Sequence, residues 1–347
     1  MSLILGIETS CDDSSAALLH RDGRVVSCRV AGQDEVHAPY GGVVPELASR
    51  AHLQKLPGTV EGVLADAGCT LADVEEIAVS CGPGLLGSLL VGVAYANALG
   101  WAKNLPVRGV NHIEAHLRSP WIERPDLPYP ALGLVVSGGH THLFWCRTAS
   151  EIQRICATRD DAAGEALDKL AKHLGLPYPG GPVIDRLAER GNPRAVLFPL
   201  PRMSSGDPLD FSFSGLKSAA LHWLRSHGYG PPFETDTHAL PGWEYDLLAS
   251  FQKRVVDHLI QRMRVAAIRR KPACLTMAGG VACNRLLRRR LLALGEELGV
   301  PAAFPSPRYC TDNAAMVAFR ALDGCGPARP GVAPLDAFPT AHWTPSG

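Results

Sequence analysis

The clearest indication of architecture is Leu132-Gly-Leu-Val-Val-Ser-Gly-Gly-His-Thr-His-Leu-Phe-Trp-Cys146. Two apolar runs flank the short turn 137–140, which contains two glycines. Such a pattern is typical of a β-hairpin whose strands are largely buried. The chain opens in a similar way, with an apolar run at 3–7, a polar turn at 8–14 and a returning apolar run at 15–20. We therefore predict two corresponding hairpins.

The segments after each hairpin continue in the same order: strand, helix, strand, helix, strand, helix. After the first hairpin we predict strands at 25–30, 77–81 and 106–110, with helices from 45 (kinked or split at Pro57), at 86–102 and around 112–119. After the second we predict strands at 152–157, 274–278 and 302–304, with helices at 162–174, 282–298 and from 311–313. A duplicated order of this kind resembles the two-lobe α/β fold of the actin, Hsp70 and sugar-kinase superfamily, in which a nucleotide cleft lies between the lobes.

The predicted lobes divide at a segment rich in proline, 125–130. Lobe I is expected at 1–130 and lobe II at 131–311, with a helical insertion at about 175–272. The C-terminal helix, 312–324, is expected to pack back on lobe I. Residues 325–347 form a tail to which we assign no role.

Composition limits the class of protein. The 347 residues include 34 Lys and Arg, 34 Asp and Glu, and ten scattered cysteines. The zero formal charge excludes a global basic field for nucleic acid, and the cysteine spacing favours reduced thiols over a disulfide framework. Residues 77–102 carry no charge, but Cys81-Gly-Pro-Gly84 interrupts them, so we predict no membrane span. With no secretory signal apparent, a soluble, cytoplasmic protein is expected.

Two histidines, His112 and His116, are four residues apart in a predicted helix. At about 100° per residue they differ by only about 40° around the axis, so both imidazoles share one face and suit one metal ion. Glu114 lies about 200° from His112 and points away. Zinc peptidases place the glutamate directly after the first histidine, so we predict a metal pair without a hydrolytic base. A coincidental histidine pair is the alternative.

The duplication predicts a third ligand. The histidine helix ends lobe I, and the helix after Thr311-Asp-Asn313 ends lobe II. Pseudo-symmetry would bring the starts of these two helices together and add Asp312 to His112 and His116. Two histidines and one carboxylate suit ferrous iron or zinc with open positions for a substrate. An N-cap role for Asp312 is equally consistent with the sequence.

Three turns are candidates for binding a nucleotide. Ser137-Gly-Gly-His140 offers backbone N–H groups that an anion can approach closely. Glu8-Thr-Ser-Cys-Asp-Asp13 corresponds to it in lobe I, and its acids, Glu8 and Asp12 among them, could serve a metal or a polar ligand. Ala278-Gly-Gly-Val-Ala-Cys-Asn284 precedes a helix N-terminus, which favours phosphate. Each could also be an ordinary structural turn.

Eight motifs occur together in the order of one known family, the bacterial tRNA N6-adenosine threonylcarbamoyltransferases (TsaD), once described as O-sialoglycoprotein endopeptidases. The motifs are Gly6-Ile-Glu-Thr-Ser-Cys-Asp-Asp13, Asn111-His-Ile-Glu-Ala-His116, Val136-Ser-Gly-Gly-His140, Gly164-Glu-Ala-Leu-Asp-Lys169, Pro179-Gly-Gly-Pro182, Phe211-Ser-Phe-Ser-Gly-Leu-Lys217, Ala278-Gly-Gly-Val-Ala-Cys-Asn284 and Thr311-Asp-Asn313. The resemblance covers about residues 3–320. Leu167 stands where the family usually has Phe, which changes packing and not chemistry.

The resemblance implies transfer of threonylcarbamoyl from threonylcarbamoyl-AMP to N6 of adenosine 37 in tRNAs that read codons beginning with A, with release of AMP. It implies that His112, His116 and Asp312 bind iron or, less commonly, zinc. The residues that it implies for adenylate contact are Val136, Ser137, Gly138, Gly139, His140, Asp168, Gly181, Asp185 and Asn284. For Asp168 and Asp185, an exposed helix face or a helix cap is the alternative.

The resemblance also implies partners: tRNA, a TsaB-like paralogue in a heterodimer, and a TsaE-like ATPase. Two basic patches are candidate tRNA contacts, although such runs are usually solvated helix faces. They consist of Arg262, Arg264, Arg269, Arg270 and Lys271, and of Arg285, Arg288, Arg289 and Arg290.

Three other functions are each consistent with part of the sequence. A metallopeptidase is opposed by the position of Glu114 and by the nucleotide-type turns. An ATPase or kinase of the same fold would use Mg²⁺, which does not need histidines. A non-catalytic paralogue is opposed by the presence of all three predicted metal ligands.

Overall fold

The two apolar hairpins of the sequence each form the centre of a sheet. Strand β1 (Leu3–Glu8) pairs antiparallel with β2 (Ser14–His20), and all of β1 is buried. Strand β6 (Ala131–Val136) pairs antiparallel with β7 (Thr141–Cys146), and both are buried along their whole length. Central strands covered on both faces require continuous apolar sequence, which is why these segments do not alternate with polar residues.

The computed structural model describes residues 2–199, 209–229, 240–324, 328–329 and 335–338. The described residues form two compact units. Unit 1 lies within Met1–Asp126, Thr148–Ile152 and Pro305–Gly347, and unit 2 within Leu127–Arg147 and Gln153–Phe304. These limits differ from the predicted lobe boundaries at 130 and 311. Parts of the predicted insertion, and most of the predicted tail, lie outside the described residues.

Unit 1 contains one sheet and seven described α-helices. Besides β1 and β2, its strands are β3 (Val25–Ala31), β4 (Val74–Gly82), β5 (Val107–Asn111) and β11 (Ala328–Arg329). Its helices are α1 (Asp34–His37), α2 (Pro45–Asp66), α3 (Leu86–Lys103), α4 (His112–Arg118), α5 (Pro120–Glu123), α11 (Pro307–Cys310) and α12 (Ala314–Leu322). The strand order is β11-β5-β4-β1-β2-β3. Helices α2 and α3 pack against each other and against this sheet, and an apolar core lies between the two helices and the sheet.

Unit 2 contains a second sheet of the same design. Besides β6 and β7, its strands are β8 (Ile152–Ala157), β9 (Cys274–Ala278) and β10 (Ala302–Ala303). Its described α-helices are α6 (Ala163–His173), α7 (Gly180–Leu187), α8 (Ser214–Ser226), α9 (Gly242–Arg270) and α10 (Arg285–Leu298). The strand order β10-β9-β6-β7-β8 matches β5-β4-β1-β2-β3 of unit 1. In both sheets the first hairpin strand pairs parallel with the strand after the crossover, so the duplicated α/β order is confirmed.

Helix α2 continues through Pro57, so the helix is not split there, and the predicted kink stays a prediction. A proline inside a helix leaves the carbonyl four residues earlier without its usual N–H partner. That carbonyl belongs to Leu53, which is 63% exposed. Water can therefore replace the missing hydrogen bond, and the helix need not end.

The C-terminal residues contribute to unit 1, although the sequence suggested no role for them. Strand β11 pairs antiparallel with β5 at the sheet edge. Asn97 donates a hydrogen bond to the Leu335 carbonyl at 3.1 Å and accepts one from the Leu335 N–H at 3.2 Å. The Phe338 N–H donates to the Cys81 carbonyl at 2.8 Å.

None of the described helices, the uncharged α3 included, has both the length and the apolar character needed to cross a bilayer.

Candidate functional site

Helix α4 carries both histidines of the predicted metal pair. Asn111 caps it, because its Oδ1 accepts hydrogen bonds from the N–H groups of Ile113 at 2.9 Å and Glu114 at 3.2 Å. The His112 and His116 rings lie 4.7 Å apart between centroids, and both side chains are buried. The four-residue spacing therefore brings the two imidazoles together.

Asp312 reaches this pair from the far end of the chain. Its Oδ1 lies 2.9 Å from Nε2 of His116 and 3.8 Å from Nε2 of His112. The residue that caps α12 is Asn313, whose Oδ1 accepts a hydrogen bond from the Met316 N–H at 3.0 Å. The Asp312 carboxylate is therefore directed at the histidines and is not used as the helix cap.

Glycine in β1 lets α12 come this close. A Cβ added at Gly6 would lie only 2.3 Å from the Ala314 carbonyl oxygen and 3.0 Å from Cβ of Ala318. Helix α12 therefore rests directly on the strand that leads to Glu8. Asp312 belongs to the same compact unit as α4, because the chain returns to unit 1 at residue 305.

The three side chains could hold a metal ion. One ligand atom from each of His112, His116 and Asp312 lies within 4.8 Å of the other two. Two imidazoles and one carboxylate form a donor set that suits zinc or ferrous iron. Nε2 of both histidines faces Oδ1 of Asp312, at 2.9 Å for His116 and 3.8 Å for His112, so one ion could contact all three side chains. The residues present therefore fit a transition metal.

Glu8 holds the ring of His112. Its Oε2 lies 3.0 Å from Nδ1 of His112, and the Ser10 hydroxyl lies 3.1 Å from the same nitrogen. Glu8 is fully buried and also accepts hydrogen bonds from the Ser10 N–H and the Ser80 hydroxyl. With Nδ1 occupied in this way, Nε2 of His112 is the nitrogen available toward Asp312.

The charges around His112 change its protonation. Burial acts to lower the pKa of His112, but the negative charges of Glu8 and Asp312 outweigh burial and raise that pKa to about 9. Burial acts to raise the pKa of Glu8, whereas the charge and hydrogen bond of His112 lower it, with a net lowering. Without a metal ion, the two groups thus form a buried ion pair.

Asp12 and Asp13 are two further carboxyl groups in the same neighbourhood. Burial and the charge of Asp312 raise the pKa of Asp12, although a hydrogen bond from Cys11 opposes them. Burial, with the charges of Asp312, Asp12 and Asp34, raises the pKa of Asp13 to about 8. A cation near Asp312 would relieve this repulsion.

Glu114 is engaged elsewhere. Its Oε2 accepts hydrogen bonds from Arg320 of α12, at 2.9 Å from Nε and 2.5 Å from Nη2. Glu114 is 3% exposed and Arg320 is completely buried. The carboxylate is therefore neutralised by a guanidinium, which leaves it poorly suited to act as a base.

In unit 2, the turn Ser137-Gly-Gly-His140 follows the buried Val136 at the end of β6. The Ser137 N–H donates to the His140 carbonyl at 2.8 Å and closes the turn. Apart from the neighbouring residues of the turn, no atom of the described residues lies within 4 Å of the place where a Cβ would sit on Gly138 or Gly139, so this side of the turn is open. Such glycines let a ligand approach the backbone.

Helix α6 begins directly beneath this turn. The Gly164 N–H donates to the Ser137 carbonyl at 3.2 Å. A Cβ on Gly164 would lie 2.6 Å from that oxygen and 2.8 Å from Cα of Gly138. The glycine of the Gly164–Lys169 motif is therefore required for contact between helix and turn.

The other predicted adenylate contacts follow in the same unit. Asp168 accepts a hydrogen bond from the Gly181 N–H at 3.0 Å. Asp185 pairs with Arg285, with Nε to Oδ2 at 2.8 Å. Asn284 caps α10 through a hydrogen bond from the Leu287 N–H at 2.9 Å. A Cβ added at Gly279 would lie 2.4 Å from the Val136 carbonyl oxygen, so the turn at 278–284 packs closely on the end of β6. The roles of these residues toward a ligand stay predictions.

Sequence reasoning missed the groups that support the metal residues. Ser80 gave no pattern of its own, because it meets Glu8 only through the pairing of β1 with β4. Ser10 lies in the predicted turn at 8–13, but nothing local distinguished it from the other polar residues of that turn. Arg320 carried a usable signal: it is the single charged residue in Ala314-Ala-Met-Val-Ala-Phe-Arg-Ala-Leu322. A lone charge in an apolar helix indicates a buried partner.

Comparison with known proteins agrees with this arrangement. The family model of TsaD, tRNA N6-adenosine threonylcarbamoyltransferase, matches residues 24–319. The chain is 44% identical to the tRNA N6-adenosine threonylcarbamoyltransferase of Novosphingobium aromaticivorans, over 99% of this chain and 95% of that protein. It is 48% identical to the protein of the same name from Geotalea uraniireducens, over 91% of this chain and 89% of that protein.

Solved structures of low identity share the fold. HypF from T. kodakarensis matches with a TM-score of 0.59 at 12% identity, covering 93% of this chain and 47% of that one. Component A of the (R)-2-hydroxyglutaryl-CoA dehydratase of Acidaminococcus fermentans matches with a TM-score of 0.51 at 17% identity, covering 93% and 99%. From the family model and the curated relatives together, the chain belongs to the TsaD family of tRNA N6-adenosine threonylcarbamoyltransferases.

Proposed function

We propose that the protein transfers the threonylcarbamoyl group of threonylcarbamoyl-AMP to N6 of adenosine 37 in tRNAs that read codons beginning with A. N6 bonds to the carbamoyl carbon, the bond from that carbon to the phosphate oxygen breaks, AMP leaves, and N6 loses a proton. The observation that carries this proposal is the grouping of His112, His116 and Asp312 in a chain of this family.

A metal ion held by His112, His116 and Asp312 would polarise a carbonyl or hold the threonyl group. We infer iron, which the family resemblance implies, with zinc as the alternative. Both metals accept two imidazoles and a carboxylate as ligands. Glu8 orients His112 through Nδ1 and keeps Nε2 toward the metal position. Such carboxylate support raises the basicity of the imidazole as a ligand.

The unit 2 residues are proposed to bind the adenylate. The backbone N–H groups of the open turn 137–140 suit the phosphate, which becomes the leaving group of the reaction. Asp168 and Asp185 are suited to ribose hydroxyls, because carboxylates accept more than one hydrogen bond. Asn284 uses Oδ1 as a helix cap, so its amide nitrogen is the group proposed for the ligand.

tRNA is the proposed nucleic-acid partner. We propose the cytoplasm as the compartment of the reaction, because tRNA is present there. The predicted basic patches are partly neutralised: Arg264 pairs with Glu297, Arg285 with Asp185 and Glu189, and Arg290 with Asp257. Arg289 is exposed, with no carboxylate partner among the described residues. We therefore favour Arg289 as the phosphate contact in its patch.

A TsaB-like paralogue and a TsaE-like ATPase are the proposed protein partners. Leu53 of α2 and Leu86 and Leu90 of α3 are exposed on two helices that pack together. Apolar patches on a protein surface often mark interaction sites. These three leucines are the residues that we propose for contact with the paralogue.

The alternatives fit less well. A metallopeptidase needs a free carboxylate beside its metal, whereas Glu114 is paired with Arg320. A kinase or ATPase holding Mg²⁺ would use oxygen ligands, and two of the three candidate ligands are imidazoles.

The test combines the protein with threonylcarbamoyl-AMP, unmodified tRNA, iron or zinc, and the two partner proteins. The RNA is then digested and its nucleosides are analysed by mass spectrometry. We expect threonylcarbamoyladenosine with wild type and none with His116→Ala. Absence of the product with metal-loaded wild type, or equal product with His116→Ala, would overturn the proposal.

A further inference from the structure

A fully buried arginine lies in α12, the helix that follows Asp312. Arg320 of α12 is fully buried and contacts Glu114 of α4 through two nitrogens. Its Nη1 also lies 3.1 Å from Oδ2 of Asp323 and donates to the Ala149 carbonyl at 3.3 Å. These contacts use all three nitrogens of the planar guanidinium, an arrangement that lysine could not reproduce.

A second ion pair joins the same two segments. Arg118, the last residue of α4, contacts Asp323, the residue after α12, at 2.7 Å from Nε and 3.0 Å from Nη2. Arg320 and Asp323 also contact each other, so the four residues form one network with two positive and two negative charges. Helices α4 and α12 are therefore joined at both Glu114 and Arg118.

The network holds the helix from the side opposite its histidines. At about 100° per residue, Glu114 is about 200° around the helix from both His112 and His116. The partner helix α12 begins two residues after Asp312. A shift of α4 along α12 would therefore move both imidazoles relative to the third candidate ligand.

Charge pairs are an unusual choice for joining two buried helices. Apolar residues of similar volume often stabilise a core equally well, because they avoid the desolvation of ions. Apolar packing is not directional, whereas the hydrogen bonds of a buried ion pair form in only one register of the two helices. The chain therefore has a means of fixing the separation of its ligands.

We propose that the Glu114–Arg320 ion pair is a positioning device that sets the distance between the histidines of α4 and Asp312, and thereby the affinity for the metal. The proposal rests on the metal site of the proposed function. It assigns Glu114 a role in holding the site rather than in moving protons.

The test measures Zn²⁺ affinity by isothermal titration calorimetry on purified full-length protein after chelation. Glu114→Gln should bind Zn²⁺ about tenfold or more weakly than wild type, the usual effect of losing an outer support of a metal ligand. Arg320→Met should be affected similarly. Co²⁺ bound to either variant should show an altered visible absorption spectrum, which reports ligand geometry.

The matched control is Glu76→Gln. Glu76 is also 3% exposed and lies in unit 1, where it pairs with Arg108 and, at 3.1 Å, with Arg21. Its loss should lower thermal stability but leave Zn²⁺ affinity within about twofold of wild type. A general loss of stability would weaken binding in the control as well.

Arg320→Met leaves Glu114 buried without its cation and could fail to fold. The double variant Glu114→Gln, Arg320→Met removes both charges and is the version to use in that case. It should regain stability and keep the weakened affinity.

The outcomes separate the two proposals. Absence of Zn²⁺ and Fe²⁺ binding by wild type would overturn the metal site and with it the proposed function. If wild type binds and His116→Ala does not, but Glu114→Gln and the double variant bind as tightly as Glu76→Gln, the positioning role alone is wrong.

Discussion

Nε2 of His116 and Oδ1 of Asp312 lie 2.9 Å apart, although 196 residues separate them in the sequence. The contact forms because the chain leaves unit 1 after residue 126 and returns at residue 305. All of unit 2 is therefore inserted between two residues of one candidate site.

The first prediction concerns metal content. His112→Ala and Asp312→Ala should each lose most of the bound metal, since each removes one of three protein ligands. Elemental analysis of purified protein checks this, with Asp66→Ala, a substitution in an exposed pair with Arg29, as control. Full occupancy in both ligand variants would show that the metal is held elsewhere.

The second prediction concerns Glu114. At saturating metal, Glu114→Gln should reduce kcat by well under the factor of about a hundred that loss of a general base typically causes. The pH dependence of kcat should keep its shape, because no titrating catalytic group is removed. A folded variant with a loss of about a hundredfold or more would establish Glu114 as a participant in the chemistry.

The third prediction concerns pH and the metal-free protein. The pKa of His112 is raised from 6.5 to about 9 in the folded state, so its ion pair with Glu8 stabilises the protein fully below pH 6.5. That stabilisation is lost as pH rises toward 9. Denaturant unfolding of chelated wild type should therefore show a falling free energy of unfolding over this window.

Glu8→Gln is the comparison for that experiment. It removes the main negative charge that raises the pKa of His112, so the decline between pH 6.5 and 9 should be much smaller. Identical pH profiles for the two proteins would mean that the ion pair does not contribute to stability.

The fourth prediction concerns the glycine beneath the unit 2 turn. Gly164→Ala would place a Cβ within 2.6 Å of the Ser137 carbonyl oxygen and displace the turn. The KM for threonylcarbamoyl-AMP should rise by about tenfold or more, since small misplacements at a binding site are costly. Gly215→Ala in α8 should leave KM unchanged, because outside its own helix turn no atom in the described parts of the chain lies within 4 Å of the new Cβ.

The sequence was most informative where structure depends on local pattern. The segments that form β1, β2, β6 and β7 are largely apolar without alternation, as expected of central strands. The duplicated order of strands and helices was predicted from these two hairpins. The pairing of His112 with His116 follows from helix geometry alone. Asp312 could be placed only through the duplication, because nothing local distinguishes it from a helix cap.

Other features depend on contacts between distant segments and have no local pattern. The strands β1, β4 and β5 are adjacent in the sheet, so Glu8 at the end of β1 contacts both Ser80 of β4 and His112, which follows β5. The tail appeared uninformative because its composition favours no element. Its backbone nevertheless adds β11 to the sheet edge, where pairing depends on an available partner and little on side chains.

The discontinuity of unit 1 has a consequence for biosynthesis. Ribosomes deliver the chain from its N-terminus, and domains generally fold as their residues emerge. Helix α4, with both histidines, is made long before Asp312 and Arg320, so Glu114 must wait for its cation while all of unit 2 is translated. A nascent chain stopped before residue 312 therefore lacks one of the three candidate ligands, and stable binding of the proposed metal would have to wait until Asp312 has been translated.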